Sequence, residues 1–347
     1  MMKQLLQQLE NRKTNIQKVY TANSTQYFFF IALILIGVAT VLNYFYFSTI
    51  GHLSEAYARQ ICLDYLMRVL LAVGVVTVLE LISQFIRHER DVKLMLSNVI
   101  KAPTIPYVLL YVLLLSYNIS FSALIIGSFV IFICSQTARK GYSYYLVHPI
   151  SIGYFSTIAI EVSNYAKFGF FDIPTALNSP FTTVLSEQTI LTYEQFIAQY
   201  YSLETVMFGF FNGATSFTLA IFLLVTCILV IKNRFANPAY VAIYLGGFIM
   251  STFVYTSQLQ LENWVFILGL LNGSVLFIAT FLLSDSVLLP RSKRSGYLFI
   301  LAVTALTAYF TFNVHVILGP FLALILIQII RALYIIGHSV VSSMKTA

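Results

Sequence analysis

A series of ten apolar stretches, separated by short polar segments, constrains what this chain can fold into more than any other feature. An α-helix needs about 20 predominantly apolar residues to cross the hydrocarbon of a bilayer, and it satisfies its backbone hydrogen bonds internally. The pattern therefore predicts an all-α, polytopic membrane protein with about ten transmembrane helices. The predicted spans lie near residues 27–47, 61–86, 105–117, 119–135, 149–165, 216–231, 239–256, 264–283, 297–312 and 315–336.

The composition excludes a soluble protein and a nucleic-acid-binding protein. Hydrophobic residues make up 59% and charged residues 10% of the chain, whereas about a quarter of a soluble domain is charged. The net charge of +7 comes from short basic clusters between apolar runs, so we expect membrane lipid rather than nucleic acid as the partner. Residues 1–26 are interpreted as a basic cytoplasmic segment, and residues 27–347 as a single transmembrane domain.

The distribution of Lys and Arg predicts the orientation of the bundle. With ten spans and a cytoplasmic N-terminus, most of the 20 Lys and Arg residues fall inside, including clusters at 232–234 and 291–294, while Arg59 and Lys167 fall outside. Reading 105–135 as one long helix would place both clusters outside, against the positive-inside rule. We therefore expect a multi-pass membrane protein with both termini in the cytoplasm.

One long connection, residues 166–215, divides the predicted spans into two groups of five. It is acidic and rich in Ser, Thr, Pro and Asn, and a connection of this length is usually functional or disordered. Because five is odd, the two groups enter the membrane from opposite sides, which is compatible with a 5+5 inverted repeat.

The segment Asn212-Gly213-Ala214-Thr215-Ser216 lies where this extracytoplasmic loop reaches the sixth span, and it suits a phosphate group. The start of a helix presents unpaired N–H groups and the positive end of its dipole to an anion. Gly213 and Ala214 leave room for a bulky group, and the Thr215 hydroxyl can form a phosphoester. The alternative is an ordinary helix start, because small residues are common where membrane helices pack closely.

This segment resembles the Ser-Gly-Ala-Thr motif of the RnfD/NqrB family, the membrane flavoprotein subunits of the Rnf complex and of the sodium-pumping NADH:quinone reductase. Residues 140–150 are similar to the family's glycine-rich segment ending in Phe-Asn-Pro-Ala. Residues 279–296 are similar to its Ala-Thr-Asp-Pro-Val segment, which Pro and Gly follow. Asn212, His148 and Ser286 stand where the family has Ser, Asn and Pro.

The resemblance implies FMN bound covalently through its phosphate to Thr215, and it places Asn212, Gly213, Ala214, Ser216 and Asp285 among the cofactor-binding residues. It also implies that riboflavin or another second flavin binds to the protein. The departures from the family pattern at positions 148 and 286 count against this second flavin. The implied partners are a flavin transferase and other membrane and extracytoplasmic redox subunits. The implied function is that of a redox subunit of an oxidoreductase complex, which relays electrons from cytosolic or quinol donors to extracytoplasmic acceptors.

Two other classes of function stay open on the sequence alone. An inverted repeat also suits a solute transporter or channel, and the fold is equally compatible with a non-redox membrane scaffold.

The remaining polar residues of the predicted spans have structural interpretations. We expect Asp64 and Arg68, one helical turn apart, to form an ion pair. We expect Glu80 and Glu161 to reach water near the interfaces, and the five histidines to be interfacial residues rather than haem ligands. We assign no metal site.

Overall fold

The structure is a computed structural model. Every element of regular secondary structure among the residues that it describes is a helix. The described residues are 26–45, 54–86, 92–115, 119–139, 147–167, 219–258, 273–285, 293–313 and 318–346, with the single residues 48 and 289. The helices are α1 (Gln26–Phe45), α2 (Glu55–Ile86), α3 (Val92–Ile100), α4 (Thr104–Leu113), α5 (Phe121–Arg139), α6 (Pro149–Lys167), α7 (Ala220–Lys232), α8 (Pro238–Gln258), α9 (Gly273–Leu282), α10 (Lys293–Asn313) and α11 (Leu318–Thr346).

The helices have the length and composition of membrane spans. Within the part of the chain that the structure describes, five segments are long and apolar enough to cross a bilayer, namely Gln26–Phe45, Ala58–Ile86, Val92–Leu113, Pro238–Gln258 and Arg294–Asn313. The surface carries many large apolar side chains, while Glu80, Glu161 and Gln328 are buried in the interior. This distribution is expected where the surrounding solvent is lipid. The prediction of an all-α polytopic membrane protein is confirmed.

Each of the ten predicted spans overlaps a helix. Residues 105–135 form two helices, α4 and α5, so the alternative of one long helix is wrong. The third crossing begins earlier than predicted, because α3 and α4 together form the segment Val92–Leu113. A turn at Lys101–Pro103 interrupts this crossing, since proline cannot continue the hydrogen-bonding pattern of the preceding helix.

The two halves of the chain repeat the same packing scheme. In the first half, α2 packs against α4 and α5, and α6 packs against α4 and α5. In the second half, α8 packs against α9 and α10, and α11 packs against α9 and α10. The equivalences α2–α8, α4–α9, α5–α10 and α6–α11 support the 5+5 arrangement.

The short helices α4 and α9 form the centre of the bundle. Every residue of α9 and nearly every residue of α4 is buried, whereas α1 and α2 expose broad apolar faces. The last turn of α9, Ile278–Leu282, is π-helical. Single π-turns of this kind occur frequently at functional sites. This turn belongs to the 279–296 segment that resembles the RnfD/NqrB family.

Candidate functional site

The predicted flavin-binding residues Asn212, Gly213, Ala214, Thr215 and Ser216 lie outside the described residues. The nearest described part of the chain is the start of α7, where Leu219 and Ala220 are fully buried. Thr215 precedes Leu219 by four residues, a separation of at most about 14 Å.

The far end of α7 is marked by basic residues. The helix ends at Lys232, and Arg234 adopts a positive φ of 60°. The N–H of Phe235 then donates to the carbonyl of Val230 at 3.1 Å, which closes the helix end. We call the face of the bundle with Lys232 and Arg234 the basic face, and the other the opposite face. The start of α7 is at the opposite face.

An aromatic groove lies at the opposite face, between α8 and α10. These helices run in the same direction, because Tyr240 near the start of α8 packs on Gly296 near the start of α10. At their far ends the rings of Tyr255 and Phe312 are stacked, with centroids 4.3 Å apart and planes 6° from parallel. The groove has a volume of about 370 Å³ and is lined by Met250, Ser251, Val254, Tyr255, Gln258, Ala308, Tyr309 and Phe312.

Asp285, the remaining predicted cofactor-binding residue, lies inside the bundle just after the π-turn of α9. Its Oδ2 accepts a hydrogen bond from the Tyr107 hydroxyl at 2.6 Å and lies 3.4 Å from Nε2 of His148. The backbone N–H of Asp285 donates to the carbonyl of Leu282 at 3.2 Å. The Asp285 carboxylate is thus held by Tyr107 and His148, which belong to the other half of the chain.

His148 is anchored on two further sides. Its backbone N–H donates to Oε1 of Gln328 on α11 at 2.8 Å, and its Nδ1 accepts from the N–H of Ile150 at 3.3 Å. The imidazole is 1% exposed and lies edge-on to the Tyr107 ring. The prediction that His148 is an interfacial residue is therefore wrong, because the bundle encloses the start of α6.

We call Tyr107, His148, Asp285 and Gln328 the junction site. Tyr107 and His148 belong to the first half of the chain, and Asp285 and Gln328 to the second. The site brings together the two segments, 140–150 and 279–296, that resemble the family motifs at some distance from Thr215 in sequence. Sequence reasoning singled out both segments, but no spacing rule predicted that they touch.

A second polar cluster surrounds Glu80, on α2. The carboxylate Oε1 accepts from the hydroxyl of Thr104 at 2.5 Å and from Nε2 of Gln136 at 3.1 Å, and the Thr104 hydroxyl is 3.0 Å from that of Ser135. Glu80 is fully buried. The expectation that it reaches water is wrong, because α4 and α5 cover it and supply its hydrogen bonds.

Glu161 and Arg68 belong to a third cluster, at the other end of α4. Oε1 of Glu161 accepts from the backbone N–H of Ser120 at 2.9 Å and from the Ser120 hydroxyl. Glu161 is 4% exposed, so the expectation of contact with water is wrong for this carboxylate also. Arg68 donates from Nε to the Ile119 carbonyl at 3.0 Å. No ion pair within 4.0 Å joins Asp64 to Arg68, both of which the structure describes.

Among curated proteins, none is similar enough to this chain to count as a match. A family model does match, over residues 11–336, which is nearly the whole chain. It describes the NQR2, RnfD, RnfE family. The match includes the Gly-Ala-Thr segment, both segments of the junction site and all the helices described above except the end of α11. The chain therefore belongs to the NQR2, RnfD, RnfE family of membrane-complex subunits.

Proposed function

We propose that this protein is a membrane electron-transfer subunit that carries FMN on Thr215, at the extracytoplasmic side. The observation that carries the proposal is a Gly-Ala-Thr triplet immediately before a transmembrane helix, in a chain of this family. A phosphoester would join the Thr215 hydroxyl to the FMN phosphate, and a flavin transferase would form it. Asn212, Gly213, Ala214 and Ser216 would surround the attachment point.

Two features of the described residues fit a flavin attached there. First, α7 begins at the face opposite to Lys232 and Arg234, which is the extracytoplasmic face in the orientation that the positive-inside rule predicts. Second, the groove with Tyr255 and Phe312 lies between the ends of α8 and α10 at the same face and offers flat aromatic surfaces. Offset stacking of aromatic rings is favourable, so such a groove is suited to a planar ring system.

The flavin would supply reversible one- and two-electron chemistry, while the protein sets its position and surroundings. The electron donors are then cytosolic or quinol-type reductants, and the acceptors are extracytoplasmic redox proteins. The protein acts in this role together with other membrane and extracytoplasmic subunits. A second, non-covalent flavin stays a prediction that the resemblance alone supports.

A direct test uses flavin fluorescence after denaturing electrophoresis of protein co-expressed with a flavin transferase. The wild-type band is expected to fluoresce, and the band of Thr215→Ala to be dark, because alanine has no hydroxyl to esterify. Thr218→Ala, three residues further on, is the matched control and is expected to fluoresce like wild type. Mass spectrometry of the peptide with Thr215 should show the added mass of FMN.

The competing function is solute transport. The specific observation in its favour is that α4 and α9 are short helices at the centre of a 5+5 bundle, as in transporters with broken helices near the midplane. A dark wild-type band after expression with a competent transferase would reject the flavin proposal and favour a transporter or a scaffold.

A further inference from the structure

A groove other than the aromatic one lies on the surface of the bundle, between the start of α1 and the turn that joins α3 to α4. Its volume is about 360 Å³, within the range of about 300–1,000 Å³ that is typical of ligand sites. We call it the α1–α3 groove, and its lining is mostly apolar, consisting of Gln26, Phe29, Phe30, Ile100, Lys101, Ile105 and Pro106. Such a lining suits a molecule with a long apolar part and a polar end.

The α1–α3 groove begins at the basic face of the bundle. Tyr27, next to Gln26, accepts a hydrogen bond from Nδ2 of Asn233 at 2.8 Å, and its ring centroid lies 4.6 Å from that of Phe235. Asn233 directly follows Lys232 at the end of α7, so the start of α1 lies beside the basic residues that define this face. The positive-inside rule assigns this face to the cytoplasm.

The two polar side chains of the groove complement an anion. The Lys101 side chain is exposed, and no carboxylate of the described residues lies within 4.0 Å of its ammonium group. A lysine near the end of a membrane helix keeps its charge at the level of the lipid headgroups. Gln26, the exposed first residue of α1, adds an amide donor. Both groups can donate hydrogen bonds to a phosphate oxygen.

The apolar side chains of the groove complement an acyl chain. Phe29 and Phe30 lie one turn further along α1 than Gln26, roughly 5 Å deeper in the membrane. Phe30 and Ile100 are 63% and 73% exposed, so the surface that they share is covered by something other than the described part of this chain. These side chains offer no hydrogen-bonding groups, and a methylene chain needs none.

We propose that the α1–α3 groove binds an anionic phospholipid from the leaflet at the basic face. One acyl chain lies against Phe29, Phe30 and Ile105, while the phosphate accepts hydrogen bonds from the Lys101 ammonium and the Gln26 amide. Basic pockets between transmembrane helices on the cytoplasmic side are typical sites for anionic headgroups. The proposal does not rest on flavin attachment, and it is tested on protein made without a transferase, so the two proposals can fail independently.

Charge argues against the N-terminal segment of the chain as the occupant of the groove. Residues 1–25 contain four Lys or Arg residues and one Glu. A segment with this excess of positive charge is repelled by the Lys101 ammonium, whereas an anionic lipid is attracted to it. The charge of the groove therefore favours lipid.

The test measures how brominated lipids quench a tryptophan placed in the groove. The reporter is Phe30→Trp in a Trp264→Phe background, because Trp264 is the only tryptophan of the chain. Full-length protein is reconstituted in phosphatidylcholine bilayers with a rising share of brominated phosphatidylglycerol or of brominated phosphatidylcholine. Quenching requires close approach, so the two curves give the ratio of the binding constants of the two lipids at the groove.

We expect phosphatidylglycerol to bind about fivefold more tightly than phosphatidylcholine, the ratio that one lysine near an anionic surface contributes. In Lys101→Gln the ratio should fall to about one, since glutamine keeps a donor but has no charge. Lys232→Gln is the matched control. It removes the same charge from the same face, but Lys232 does not line the groove, so the ratio should stay about fivefold.

Two further measurements keep the test decisive. Native mass spectrometry of protein with Phe30 intact should show a phosphatidylglycerol adduct in wild type and in Lys232→Gln, and a weaker one in Lys101→Gln. This measurement decides the outcome if the reporter variant fails to fold. Soluble glycerol phosphate should leave the quenching unchanged, because the acyl chain contributes to the affinity of the lipid.

Four results would overturn the proposal. A ratio of one in the reporter protein would show ordinary surrounding lipid only, and equal losses in Lys101→Gln and Lys232→Gln would show a general effect of surface charge. An absence of quenching by either lipid would show that a protein segment covers the groove. Displacement of the lipid by glycerol phosphate would show an anion site without a site for the acyl chain.

Discussion

At the scale of single residues, the interior of this bundle depends on glycines that let polar side chains approach one another. The Tyr111 hydroxyl on α4 lies 2.5 Å from that of Thr157 on α6, and both lie against Gly127 on α5. A Cβ atom at position 127 would be 2.1 Å from the Tyr111 oxygen and 2.2 Å from the Thr157 oxygen. Only glycine leaves room for this contact between three helices.

Gly127→Ala should therefore destabilise the protein. Overpacking of a well-packed interior typically costs about 1–3 kcal/mol, and here a buried hydrogen bond is also displaced. We expect a lower midpoint of thermal unfolding, measured by the fluorescence of a thiol-reactive dye in detergent.

Gly74→Ala on α2 is the matched control. A Cβ at Gly74 meets no atom within 4 Å, so the change should be neutral or should stabilise the helix by about 0.5–1 kcal/mol. Equal midpoints for the two variants would contradict the packing argument.

At the scale of helices, a side chain from α2 holds the start of α5. The Nε atom of Arg68 donates to the Ile119 carbonyl, and its guanidinium lies 4.9 Å from the centroid of the Phe121 ring. The carbonyl precedes α5 and the ring belongs to its first turn. Arg68 thereby ties α2 to the connection between α4 and α5.

Arg68→Lys should weaken this connection although the charge is kept. Lysine lacks the planar guanidinium group, and with it the Nε–H that donates to the Ile119 carbonyl. Its ammonium group also interacts less favourably with an aromatic face. We expect a loss of about 1–2 kcal/mol in stability, measured as a lower unfolding midpoint.

Arg59→Lys provides the comparison, because Arg59 forms an exposed ion pair with Glu55 at 3.6 Å. Exposed pairs contribute little, so this variant should unfold at the wild-type temperature. A similar loss in both variants would show that the contacts of Arg68 with Ile119 and Phe121 are not the cause.

At the scale of the whole molecule, two groups of five crossings share one packing scheme and meet at the junction site, with α3 and α4 counted as one crossing. The polar clusters around Glu80, Glu161 and Asp285 all include a residue at or next to an end of α4, α5 or α9. Helix ends present unpaired backbone groups, so short helices in the interior require polar partners there. The carboxylates of Glu80, Glu161 and Asp285 meet their polar partners where these ends occur.

A labelling experiment can test the orientation of the bundle in the membrane. With the three native cysteines replaced, a cysteine at position 187 in the long loop should react with a membrane-impermeant maleimide added to intact cells. A cysteine at Arg234, beside the basic end of α7, should react only after lysis. The reverse pattern would overturn the predicted orientation and place Thr215 on the cytoplasmic side.

Much of the architecture could be predicted from the sequence, because a lipid environment leaves few choices for an apolar stretch of about 20 residues. The ten spans and the separation of α4 from α5 followed from hydropathy and from the placement of Lys and Arg. The start of α3 at Val92 was missed, since Lys93 and Lys101 interrupt the apolar pattern there. The partners of Glu80, Glu161 and His148 were also missed, because burial depends on which helices cover a residue.

The sequence by itself determined that the chain is a helical membrane protein of this family, with a Gly-Ala-Thr segment ahead of its sixth span. Hydropathy and a local motif are properties of contiguous residues, so no tertiary information was needed. Only the tertiary structure decided that His148 and Asp285, more than a hundred residues apart, form one buried pair with Tyr107. Contacts of that kind arise when separate helices pack side by side, and the order of residues along the chain does not encode them locally.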